Sequence, residues 1–231
     1  MDKTLVKAVD PADALRHLRA DFPILSQQVH GKPLVFLDSA ASAQKPRQVI
    51  DAMADTMRTQ YANIHRGLYW MSERTTEAYE AVRDQVAAFI NAAGREEIVF
   101  TRNSTEAINL VAHSYGSLLK PGQAVVISEM EHHANIVPWQ MLRDRAGIEL
   151  RVAAVTDSGE LDMESLSRML ADGKVALVAI THMSNVLGTV TDARAIADMA
   201  HAAGARVLFD GSQLAVHRRV DVQALGADSM S

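Results

Sequence analysis

The sequence predicts an α/β layered fold with a mainly parallel sheet flanked by helices. Three observations carry that prediction. Short β-type runs alternate with helical patterns over most of the chain. The connections between them are short. The run Val175–Thr181 is apolar almost without a break, as expected of a strand buried on both faces.

The elements follow in chain order. Asp10-Pro11 reads as an N-cap and a proline at the first helical position, opening a helix to about Ala20. Leu34–Leu37 reads as a short strand. Pro46–Tyr61 reads as an amphipathic helix with Val49, Ile50, Met53 and Met57 on one face. Ser72 is expected to cap a longer helix that turns Tyr79, Val82, Val86, Phe89 and Ile90 inward and stops at Gly94. Glu97–Thr101 reads as a strand, and Ser104 opens a helix to about Leu119. Pro121-Gly122 marks a turn before the strand Ala124–Ser128. A helix from about Ala134 to Arg145 and a strand over Glu149–Ala154 follow. Asp162 caps a helix to Ala171. After Val175–Thr181 come a helix over Asp192–Ala203, ended by Gly204, and a strand over Arg206–Asp210.

Composition narrows the function classes. The chain has 231 residues, 48 % of them apolar and 22 % charged, which is ordinary globular make-up. A net charge of −5 argues against a general nucleic-acid binder. With no cysteine, the chain can hold no disulfide, thiolate zinc site or cysteine nucleophile. Its longest apolar run, Val175–Ile180, is far short of the ~20 residues that span a bilayer. Met1–Asp10 is charged and shows no leader pattern, so a cytoplasmic protein is expected.

Open α/β sheets bind ligands beyond the carboxyl ends of their strands. Four strands here end in polar clusters: Arg102–Glu106, Glu129–Asn135, His182–Gly188 and Asp210–Gln213. Ser104-Thr105 stands at a helix start, where free N–H groups favour a phosphate; a plain cap is the alternative. Asp210 ends a buried strand and could hold a cationic ring nitrogen or simply cap the next turn. His132-His133 could ligate a metal, but adjacent histidines diverge and no His-x-x-x-His spacing accompanies them. A stacking imidazole suits them better. Asn185 could hold a small carboxylate or belong to an ordinary turn. His65-Arg66-Gly67 offers cations, or a solvated loop. Neither glycine-rich nucleotide fingerprint is present. Together a phosphate site, a stacking ring and a buried acid describe a pocket for a phosphorylated aromatic cation. Pyridoxal 5′-phosphate matches that description.

Several motifs are shared with a known family. Leu37–Pro46, His65-Arg66-Gly67, Thr105–Ala112 and Met130–Gln140 resemble the SufS-type (group II) cysteine desulfurases. So do Ile180-Thr181-His182, Ser184–Thr189, Asp210–Gln213 and Val220–Leu225. The resemblance runs from about Asp21 to Asp228. It implies the fold type I large domain of class V aminotransferases and the cofactor pyridoxal 5′-phosphate. It also implies L-cysteine as substrate, converted to L-alanine with sulfur passed on for iron–sulfur cluster assembly. By position, Ser104 and Thr105 would contact the phosphate, and His132 would stack on the ring and transfer protons. Asp210 would pair with the pyridine nitrogen, and Gln213 would bond the ring 3-oxygen. Asn185, and His65 near a dimer interface, would meet the substrate. A homodimer and a sulfur-acceptor protein are the implied partners. Residues 1–33 would pack with a small domain, and 34–231 would form an incomplete cofactor-binding domain.

The resemblance also marks what this chain lacks. The family's Schiff-base lysine, persulfide cysteine and substrate-clamping arginine would lie past Ser231. The last three residues depart from the family pattern, which an early stop or frameshift near codon 229 would explain. The chain alone is therefore expected to show no desulfurase turnover, and to expose apolar sheet and helix surface. Selenocysteine lyase activity is a neighbouring reading. A non-catalytic remnant, or a module that binds the cofactor weakly or pairs with a full-length subunit, is the reading from another class.

Overall fold

The computed structural model describes residue 15 and residues 17–231. The helix start at Asp10-Pro11 lies outside them. The described residues through Ala81 form one unit and Val82–Ser231 a second, the division falling within one helix.

In the first unit, β1 (Gln28–Val29) and β2 (Lys32–Pro33) pair as an antiparallel hairpin. His30 and Gly31 turn it, both at positive φ, the conformation that two-residue hairpins need. The expected strand at Leu34–Leu37 is not formed. That stretch follows β2 with no ladder partner, and Leu37 is 91 % exposed. Helix α1 (Arg47–Thr59) starts after Pro46, as expected. None of its residues is buried; Val49, Ile50, Met53 and Met57 all remain exposed.

Helix α2 (Trp70–Ile90) begins two residues before Ser72, so that serine is no cap. Instead it is fully buried and ties down the preceding loop: its Oγ donates to Asn63 O at 2.6 Å and accepts Gly67 N–H at 3.1 Å. Of the residues expected inside, Tyr79, Val86 and Ile90 are half-buried, whereas Val82 and Phe89 are exposed. The helix ends at Ile90 rather than near Gly94. Asn91 takes the left-handed conformation there, φ 55°, which asparagine tolerates better than most residues.

The second unit is the layered domain. Its sheet has the order β4–β3–β5–β6–β7, parallel throughout. The strands are β3 (Ala124–Ser128), β4 (Glu149–Ala153), β5 (Val175–Thr181), β6 (Arg206–Asp210) and β7 (Ser229–Met230). Every residue of β3 and β5 is buried. Side chains alternate between the faces, as the pleat requires. Val126, Val207 and Phe209 pack with Leu166 and Leu170 of α5 (Met163–Leu170) and Ile196 and Ala200 of α6 (Ala193–Ala202). Val125, Ile127 and Leu208 pack with Ile108 and Ala112 of α3 (Ser104–Ser114) and Trp139 and Leu142 of α4 (Val137–Ala146). The cap read from sequence at Asp162 is made, and Asp192 caps the next helix in the same way: each carboxylate accepts the N–H three residues on.

One expected strand is missing here. Arg95–Glu97 is a 3-10 turn, and Ile98–Thr101 joins no strand pair among the described residues. Its apolar residues favour extended backbone, but a strand is a pairing and nothing here supplies the other half. Val99 is consequently 65 % exposed. Two short helices, α7 (Leu214–His217) and α8 (Val222–Leu225), connect β6 to β7.

Candidate functional site

The strand order locates a crevice. After β3 the chain steps outward to β4, returns across β3 to β5, and continues through β6 to β7. The order thus reverses between β3 and β5, and ligands of open α/β sheets bind at such a reversal, beyond the carboxyl ends. The loops that leave β3 and β5 there carry His132 and Asn185, and Asp210 is the last residue of β6.

Beside them stands the start of α3. Asn103, not Ser104, is its cap: Asn103 Oδ1 accepts Glu106 N–H at 2.9 Å. Glu106 reaches back to the Arg102 N–H at 2.6 Å, one residue before the cap. The Arg102 guanidinium also holds the Glu106 carboxyl below its usual range. The Ser104 and Thr105 hydroxyls are therefore not used in capping.

Asp210 is buried at the end of β6. Its Oδ1 accepts Ser212 N–H at 3.0 Å and lies 2.6 Å from Ser212 Oγ. Ser212 Oγ is also 2.9 Å from Ser104 Oγ. The structure so joins two of the sequence candidates, Ser104 and Asp210, through a serine that the sequence reading left without a role. Gly211 permits a close approach at this point, since a Cβ there would overlap the Met230 side chain of β7.

His132 is exposed, and its Nδ1 accepts Ala134 N–H at 3.1 Å, which leaves the ring proton on Nε2. Its ring meets that of His133 edge-on at 6.0 Å, so the two diverge. Thr105 is exposed and Gln213 half-buried at the start of α7. Asn185 is exposed in a turn that Ser184 Oγ organises by accepting the N–H groups of Val186 and Leu187. No side-chain hydrogen bond joins Asn185 to the Ser104–Ser212–Asp210 group. His65 belongs to the first unit, at φ 63°; its N–H donates to Thr76 Oγ1, and its Nε2 lies 3.3 Å from Glu80 Oε1.

Sequence reasoning missed Glu131. This carboxylate is buried in the crevice and accepts from Ser128 Oγ at 2.5 Å, Thr181 N–H at 3.0 Å and Asn135 Nδ2 at 2.7 Å. Burial pushes its pKa up to about 7 against those bonds, with Asp210 adding to the rise. Next to Thr181, His182 is buried with Nδ1 unbonded, and burial lowers its pKa, as does Arg218.

Two absences are plain. The described lysines of the second unit, Lys120 and Lys174, lie just before β3 and β5, at the sheet edge opposite the crevice. Among the described residues, no group of three or more histidine or carboxylate side chains could hold a metal ion.

The second unit is an α/β domain with a parallel sheet, and polar side chains gather at the carboxyl ends of its strands. The chain belongs to the aminotransferase class-V family, whose profile matches residues 35–231. It is 58 % identical over 212 residues to a cysteine desulfurase of Dickeya dadantii, covering 91 % of this chain and 51 % of that one. It is 54 % identical over 215 residues to one of Pectobacterium atrosepticum, covering 93 % and 53 %. The cysteine desulfurase CsdA of Escherichia coli is 36 % identical, with a TM-score of 0.81 over 97 % of this chain and 54 % of that one. The apo cysteine desulfurase of Thermococcus onnurineus NA1 is 34 % identical, with a TM-score of 0.85 over 94 % and 52 %. The chain therefore spans about half the length of the relatives it matches.

Proposed function

We propose that this chain is part of a cysteine desulfurase and that the carboxyl edge of its sheet binds pyridoxal 5′-phosphate. The observation that carries the proposal is Asp210. It is a buried carboxylate whose side chain receives bonds from Ser212 alone, a neutral donor, among the described residues. Such a group suits a protonated ring nitrogen, because a buried charge needs an opposite partner. The Ser104–Ser212 contact stands beside it, at a helix start whose cap leaves Ser104 and Thr105 available.

When bound, the cofactor supplies an electron sink for bond breaking at the substrate α-carbon. The residues of this chain would hold and orient it. Ser104 and Thr105, with the first N–H groups of α3, would take the phosphate. The His132 ring would stack on the pyridine and move a proton at Nε2. Gln213 would bond the ring 3-oxygen, and Asn185 the substrate carboxylate; His65 is assigned to the substrate by resemblance alone. On the same resemblance the substrate is L-cysteine, the products L-alanine and transferred sulfur, and the setting a cytoplasmic homodimer that serves iron–sulfur cluster assembly through an acceptor protein. No described helix is long and apolar enough to cross a membrane.

A second reading, cofactor binding without turnover by this chain, is favoured by one observation. Neither Lys120 nor Lys174 stands at the carboxyl ends of the strands, so neither described lysine of the second unit supplies the amine for a covalent link. Pyridoxamine 5′-phosphate tests the site under both readings, because it forms no imine with surface lysines. Its fluorescence should titrate to saturation with the chain, and Asp210→Ala should weaken binding by about tenfold or more, the scale of a lost charged hydrogen bond. Absence of saturable binding would overturn the site.

A further inference from the structure

We infer that Glu131 is a positioning residue of this site: its carboxylate joins the end of β3 to the end of β5 and so fixes the loop that presents His132. The inference rests on the reading of His132 as the ring-stacking residue.

The geometry begins with the sheet. The β3–β5 register ends at Val126 and Val178, although β3 runs on to Ser128 and β5 to Thr181. On the other side of β5 the pairing with β6 continues to Thr181 and Asp210. The strands thus part at the reversal point, and the backbone groups of β5 that face β3 would be left unpaired there. Side chains of the loop after β3 take their place. Glu131 Oε1 accepts Thr181 N–H at 3.0 Å, and Asn135 Nδ2 donates to Ala179 O at 3.1 Å. The two side chains also bond each other, and Asn135 Oδ1 accepts Trp139 Nε1–H at 2.9 Å, which ties the pair to the fully buried indole of α4. Ser128 Oγ closes the group onto the last residue of β3.

His132 stands inside this frame. Glu131 precedes it and Asn135 follows it by three residues; both are buried, while His132 and His133 are exposed. Two buried, bonded positions therefore fix the short span between them. All donors to Glu131 are neutral, and burial raises its pKa, so the carboxylate is not held for ion pairing. Its chemical advantage is two acceptor oxygens. A glutamine amide in the same place would turn an N–H toward either Thr181 N–H or the Asn135 amide, and one bond would be lost.

The test uses the full chain with carbon-13 in its histidine rings, and four variants: Glu131→Gln, His132→Ala, the two combined, and Ser128→Ala. In the ligand-free chain, Glu131→Gln should shift and broaden the His132 ring resonance while that of His201, on α6, stays in place. Pyridoxamine 5′-phosphate binding should fall about tenfold in Glu131→Gln, the scale of one unmet buried hydrogen bond. Combined with His132→Ala, it should fall no further than in His132→Ala alone, because the effect runs through that ring. Ser128→Ala removes one donor and should act in the same direction by about threefold, which decides the matter if Glu131→Gln does not fold. An unmoved His132 resonance, or losses that multiply in the combined variant, would overturn the inference. If the unaltered chain binds no pyridoxamine 5′-phosphate, the proposed function falls, and the His132 resonance still decides the role of Glu131.

Discussion

Glu131 Oε1 accepts the backbone N–H of Thr181 at 3.0 Å, in the gap where β3 and β5 have stopped pairing. This one contact spans the point at which the strand order reverses, and it has a consequence for stability. Burial lifts the Glu131 carboxyl from the ordinary 4.5 to about 7. The folded chain thus holds that proton more tightly than the unfolded chain. The stability this supplies is complete below about pH 4.5 and is lost as pH rises through 7. At about 1.4 kcal/mol per unit, the loss amounts to about 3 kcal/mol. Urea unfolding of the unaltered chain and of Glu131→Gln, compared from pH 5 to pH 8, should show the unaltered chain losing ground as pH rises. A constant difference would contradict it.

Asn103→Ala should lower stability by about 1 kcal/mol, the usual effect of losing a helix cap, measured by urea or thermal unfolding. Ser104→Ala should change stability by less than about 0.5 kcal/mol, since its hydroxyl caps nothing. Equal losses would return the cap to Ser104 and weaken the claim that its hydroxyl is available.

The carboxylate of Asp228 fastens β7 to the sheet. Burial disfavours its charge, but bonds from His201 Nε2 at 2.7 Å, Arg206 Nη1 at 2.5 Å and Val207 N–H at 2.8 Å outweigh it, and its pKa is lowered. A lowered carboxyl pKa gives stability that is present above the ordinary 3.8 and is lost as pH falls through the folded value. Asp228→Asn should therefore be destabilising by about 1.5–3 kcal/mol at pH 7, the range for hydrogen bonds to charged groups. The difference should narrow as pH falls below 3.8. A penalty that does not change with pH would assign the effect to packing.

Leu166→Ala, at a fully buried position, should cost about 2–5 kcal/mol by opening a cavity between α5 and the sheet. Met57→Ala, on the exposed face of α1, should change stability by less than about 0.5 kcal/mol. Chemical denaturation of both variants checks the contrast. A large loss at Met57 would mean that this face is covered in solution.

The sequence carried the layered domain well where the signal was local. The apolar run of β5 and the aspartate caps of α5 and α6 need only neighbouring residues to be read. Pairing is not local: Glu97–Thr101 has the residues of a strand but joins no sheet among the described residues, and Leu34–Leu37 fails for the same reason. Serine chemistry misled once, because a hydroxyl at a helix start looks alike whether it caps or not. Ser104 does open α3, and of the two readings left open for it the plain cap falls to Asn103. At Ser72 no local signal gave warning, because the burial of that hydroxyl depends on the loop folded back upon it. Among the site residues, Ser104 and Asp210 were read from strand ends and meet through Ser212. Glu131 escaped notice because its main-chain partner, Thr181, lies 50 residues away and is brought near only by the strand order.

The most direct test of the central claim is a crystal structure of the chain grown with pyridoxamine 5′-phosphate. The account predicts the phosphate on Ser104 and Thr105, the ring against His132, and the ring nitrogen bonded to Asp210. A phosphate held elsewhere, or a ring with no contact to Asp210, would contradict it.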